Sequence, residues 1–147
     1  MFKTLKRKIR KMFREFLVYH HSSLEFRAKV LTLMVSSDGE MSECEREKLE
    51  EIAREIYKDD EERAALLVDT VKEFHTKIIT DNGLDFEHLV RQVDKEVHTV
   101  KRFCKKIDLE ILMKLHACIE EKSEEERLFQ QRIIEFLEGL KKEECNR

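Results

Sequence analysis

Apolar residues recur at intervals of three and four along almost the whole chain, separated by short polar breaks. That period is what an amphipathic α-helix needs to bury one face. One stripe is Phe2, Leu5, Ile9 and Phe16; the next is Phe26, Val30, Leu31, Leu33 and Met34. Others are Leu49, Ile52, Ala53 and Ile56, then Leu67, Val68, Val71, Phe74 and Ile78. A fifth runs from Phe86 through Leu89, Val93 and Val97 to Val100 and Phe103, a sixth through Leu112, Leu115 and Ile119, and a seventh through Phe129, Ile133, Phe136, Leu137 and Leu140. Across 147 residues there is no proline and there are only three glycines. The expected fold is all-α, a compact bundle of about seven helices joined by short loops.

The breaks carry helix-start chemistry. Ser42 with Glu45, and Ser123 with Glu126, are capping boxes, in which each side chain satisfies a backbone N–H left free in the first turn. Ser22 with Glu25, Asp60, Asp85 and Asp108 read as further caps. Thr80-Asp81-Asn82-Gly83 is a stop, and Gly139 is expected to terminate the last helix. Residues 141–147 are expected to be a frayed tail. Shifting the sequence by 81 places aligns Leu31 with Leu112, Ser42 with Ser123, Glu45 with Glu126 and Ile52 with Ile133, a weak internal repeat of helix pairs. The expected division is a basic amphipathic N-terminal helix over residues 1–21, a helical domain over 22–140, and the tail.

The net charge of −3 hides an asymmetry. Residues 1–14 carry seven cations and no acid, whereas the rest of the chain holds 22 basic against 32 acidic groups. The residues Lys3, Lys6, Arg7, Arg10, Lys11 and Arg14 lie beside an apolar stripe, a pattern that suits an anionic membrane surface or a partner protein. The same stripe also suits packing on the domain's own core. Nucleic acid is disfavoured because the body is acidic and no recognition motif is present. No apolar run approaches the roughly 20 residues of a bilayer span. Cys44, Cys104, Cys118 and Cys145 are scattered with no CxxC pair, which reads as ordinary thiols in a reducing cytosol. A cytoplasmic location is therefore expected, with a peripheral position at the inner membrane face as its variant.

One loop concentrates the candidate chemistry: Ser36-Ser37-Asp38-Gly39-Glu40-Met41-Ser42-Glu43-Cys44-Glu45. Placing Gly39 at position 6 of a calcium loop puts Glu45 at position 12, where a bidentate carboxylate belongs. Asp38, Glu40 (through its carbonyl), Ser42 and Glu45 are then the metal-ligand candidates for Ca²⁺ or another divalent cation. Position 1, normally Asp, is Met34, so affinity on the order of 10⁻⁴ M or weaker is expected. The alternative needs no metal: Asp38-Gly39 turns the chain, and Ser42 with Glu45 caps the next helix. Glu-x-x-His pairs of the di-iron type are missing: Lys72, Lys95 and Met113 stand three before His75, His98 and His116, and Asp85, three before His88, already serves as a cap. No Gly-rich phosphate loop or Ser/His/Asp arrangement stands out.

The run from Val35 through Asp38-Gly39 and Met41 to Glu45 and Glu47 resembles the signature of TerB-like domains, the tellurite-resistance family. The resemblance extends over residues 22–140, with its specific part in the first motif. It implies a seven-helix fold, stress-related roles, metal or calcium binding by the loop acids Asp38 and Glu45, and membrane-linked assemblies. The second motif reads Ile119-Glu120 where the family would have Asp-Gly. On this reading the chain is a non-catalytic binding module with a protein partner, and self-association is open. The alternative is a peripheral membrane adaptor or interaction domain whose basic N-terminal helix carries the function without metal.

Overall fold

The structure is a computed structural model and describes residues 7–8, 22–36, 40–80, 84–118 and 122–146. The fold is all-α. Among the described residues it comprises α1 (Ser22–Val35), α2 (Glu43–Ile56), α3 (Glu61–Ile79), α4 (Phe86–Thr99), a 3₁₀ segment (Lys101–Lys106), α5 (Leu109–His116) and α6 (Glu124–Cys145).

Helix α1 is the axis of the bundle. Every residue from Ala28 to Ser36 is buried, as expected of a helix that is apolar nearly all round. It packs against α3, α4, α5, α6 and the 3₁₀ segment. Phe26, fully buried, stacks on Phe103 with ring centroids 4.6 Å apart. The surrounding helices each offer one stripe: Leu49, Ile52 and Ala53 from α2; Leu67 and Val71 from α3; Leu89, Val93 and Val97 from α4; Leu112 and Leu115 from α5; Leu137 and Leu140 from α6. Polar groups that enter this core are matched. Lys29 Nζ reaches both carboxylate oxygens of Glu96 at 3.0 Å, and the buried Thr32 and Thr70 hydroxyls donate to carbonyls one turn back.

The caps follow local spacing. Both capping boxes form. Asp60 accepts the Arg63 N–H, and Asp108 accepts those of Glu110 and Ile111. Asp85 stands at the N-cap of α4 without a side-chain cap bond.

Four expectations are corrected. The fifth helix does not run on to Phe103: Val100 leaves the helical region at φ −116°, ψ 101°, and the chain re-enters as a 3₁₀ segment in which Phe103 and Cys104 are buried. Of the tail expected over residues 141–147, residues 141–145 are helical, and Gly139 does not end the last helix. That helix continues to Cys145, because its last turns have partners: Lys141 Nζ donates to the Ile107 carbonyl at 2.7 Å, and Cys145 bonds Cys104. Phe129 is 43 % exposed, against the Phe86 ring, and its neighbour Gln130 is the buried residue. The cysteines are not free thiols: Cys44 pairs with Cys118 and Cys104 with Cys145. Disulfides persist in oxidising surroundings, so scattered cysteines no longer argue for a reducing compartment. Among the described residues no helix is long and apolar enough to cross a membrane.

Candidate functional site

The loop that carries the sequence signature joins α1 to α2. Asp38 and Gly39 lie outside the described residues; Glu40, Ser42 and Glu45 lie within them. Ser42 Oγ accepts the Glu45 N–H at 3.1 Å, and Glu45 Oε1 accepts the Ser42 N–H at 3.1 Å. The cap thus forms as spaced, but the Glu45 side chain does more than cap.

Glu45 is completely buried. Its Oε1 lies 3.1 Å from Lys122 Nζ, itself buried, in a contact from which water is excluded. Its Oε2 accepts from Gln130 Nε2 at 3.3 Å. The same Gln130 nitrogen donates to the Met34 carbonyl near the end of α1 at 2.9 Å. Gln130 Oε1 accepts from His116 Nδ1 at 2.8 Å. One connected polar network therefore joins the end of α1, the start of α2, the end of α5 and the first turns of α6. The Cys44–Cys118 disulfide fastens α2 to the second residue past α5 at the same junction. An ammonium already holds the place beside Glu45 that a cation would take. Among the four ligand candidates, Glu40 is exposed and Ser42 is committed to the cap. Sequence spacing finds the cap but not Lys122 or Gln130, since no periodic signal links Glu45 to residues so far along the chain.

Beside the loop runs a cleft of about 340 Å³, lined by Glu40, Met41 and Arg46 on one side and by Lys72, His75, Thr76 and Ile79 of α3 on the other. His75 is nearly buried and is held from behind by a 2.7 Å hydrogen bond between its Nδ1 and Ser36 Oγ. Ile79 is 44 % exposed at the rim. The cleft thus combines two apolar side chains, Met41 and Ile79, with charges of both signs.

A second cluster sits at the far end of α6. His98 Nδ1 is 2.7 Å from the Asp94 carbonyl oxygen, and its Nε2 is 3.2 Å from Glu144 Oε1 and 3.9 Å from Glu143 Oε1. The bond to the Asp94 backbone, with the carboxylates of Glu144, Asp94 and Glu143 around the ring, raises the His98 pKa above its ordinary value against a smaller opposing effect of desolvation. An imidazolium there balances the carboxylates without any ion. A raised folded-state pKa makes this contribution complete below the unfolded value of about 6.5; it is lost as pH rises through the folded-state value. In an NMR titration the His98 ring should therefore titrate above about 6.5. His98→Gln should flatten the fall in stability on the alkaline side of that pH; an unshifted ring would discard this account.

Of the basic N-terminal residues named above, only Arg7 falls among the described ones; it and Lys8 are helical and exposed. Lys3, Lys6, Arg10, Lys11 and Arg14 lie outside them. Comparison with protein-family models, with curated proteins and with solved structures finds no match to this chain.

Proposed function

We propose that the chain is a non-catalytic helical binding module of the TerB-like kind, in which the α1–α2 loop and the cleft beside it carry recognition. The observation that supports this most is the division of labour within the loop. Glu45 turns inward into the network that joins four helices, while the exposed Glu40 faces a cleft with Lys72, His75 and Ile79 opposite and the buried Met41 in its wall. An exposed isoleucine beside charges of both signs suits a polypeptide partner that presents an apolar side chain flanked by polar ones. A divalent cation at the loop belongs to this proposal through Asp38, Glu40 and Ser42, with Glu45 outside the ligand set. Stress-related and tellurite-related roles rest on the resemblance of the loop motif.

Titration of isotope-labelled protein with CaCl₂ tests the ion. Binding at the loop moves the amides of Glu40, Met41 and Ser42 together with the His75 ring, at a dissociation constant on the order of 10⁻⁴ M or weaker. The Glu45 carboxylate carbon stays unmoved. Silent amides over residues 36–42 at millimolar Ca²⁺ would remove the ion and leave the cleft to protein contact alone.

A further inference from the structure

We propose that the groove between α1, the 3₁₀ segment and α5 is a binding site for a phosphate monoester, taken by Arg27, Lys105 and Lys106. The three cations come from two elements and line one cavity of about 190 Å³. Among the described residues, no carboxylate forms an ion pair with any of them. The two acids on the cavity wall are committed elsewhere. Glu55 Oε2 accepts from Lys114 Nζ at 2.7 Å, and that bond with its attendant charge holds the Glu55 pKa below its usual value. Asp108 Oδ1 accepts two backbone N–H groups as the cap of α5. Arg27 lies over the Tyr57 ring, 5.7 Å from its centroid. An aromatic face therefore positions the guanidinium, leaving its N–H fork for an oxyanion. Burial above all, and then the charges of Arg27 and Arg102, lowers the Lys106 pKa.

Three cations that line one cavity, none of them in an ion pair with a carboxylate among the described residues, are an arrangement that suits an anion. A dianionic head that can meet two or three donors from separate elements fits better than a single carboxylate. The volume is below the roughly 300 Å³ of drug-sized sites. It therefore holds the head and a short carbon stub against Leu31, Ile56 and Ile111, which line the same cavity. No residue is shared with the loop or its cleft, so this inference stands apart from the function proposed above.

The test titrates labelled protein with inorganic phosphate, with glycerol phosphate, and with sodium chloride at matched ionic strength. The expected result is saturable movement of the Leu31, Lys105, Lys106 and Ile111 amides with both phosphates and not with chloride. Arg27→Gln and Lys106→Gln should each weaken binding about tenfold or more, the scale of a lost charge-assisted hydrogen bond, with helical circular dichroism unchanged. Lys77→Gln, an exposed lysine paired with Glu73 on α3, should leave affinity unaltered. Linear, unsaturated shifts spread over many lysines, or equal affinity in the Arg27 and Lys106 variants, would overturn the site. So would a response to vesicles of phosphatidic acid with none to the soluble phosphates, which would mark the groove as a membrane contact.

Discussion

Replacing Cys44 and Cys118 together by serine should lower the unfolding free energy by about 4 kcal/mol, the chain-entropy value for a loop of this size. The bond joins residues 74 apart, from the first turn of α2 to the second residue past α5. Without it the unfolded chain regains that freedom, and the segment that carries Lys122 toward Glu45 loses its nearest tether. The Cys104–Cys145 bond spans 41 residues, and because closure entropy grows only logarithmically its removal should cost nearly as much. Its local signature differs: amides near the end of α6 should exchange faster and the His98–Glu144 contact should weaken. Domains of this size are stable by roughly 5–15 kcal/mol in total, so full reduction should bring the protein close to its unfolding midpoint in buffer. Urea unfolding with and without dithiothreitol measures this directly. A midpoint indifferent to the reductant would mean that the four sulfurs are thiols in solution.

What the sequence revealed, and what it hid, divides by range. Caps at Ser42, Asp60, Asp108 and Ser123 were readable because a cap is settled within four residues. The α4 stripe of Leu89, Val93 and Val97 was readable because a helix repeats its inward face every turn. The cysteine pairs were not: four cysteines allow three pairings or none, and spacing does not choose among them. Nor was the register of α6. Hydrophobicity favours Phe129 inside, yet the carbonyl of Met34 and the carboxylate of Glu45 need a donor there, and Gln130 supplies it. The last turns of α6 were hidden for the same reason: a glycine and a charged run look like an ending unless their distant partners, Ile107 and Cys104, are known. At the candidate site the sequence identified Glu45 as notable but not what it meets, and the partner decides between an ion ligand and an internal strut.

Glu45→Ala should destabilise the fold by about 3–5 kcal/mol, because it removes the carboxylate that the buried Lys122 ammonium meets. The lost cap accounts for only about 1 kcal/mol of this. Lys122→Met removes the ammonium from Glu45, whose carboxylate still accepts from the Ser42 N–H and the Gln130 amide. Combining the two substitutions should cost clearly less than their sum, with a coupling of up to about 3 kcal/mol, since neither charge is then left alone. The same variants separate strut from ligand. If Lys122 holds the cation's place, Lys122→Met frees Glu45 to join the ligands, and Ca²⁺ should raise the melting temperature of this variant further than that of the parent protein. At a hundredfold excess over the dissociation constant that gain is about 2.7 kcal/mol, enough to offset much of the loss. Calcium stabilising both proteins alike would mean that Glu45 stays outside the ligand set even without Lys122. Additive losses in the cycle would mean that Glu45 and Lys122 are neighbours without being partners.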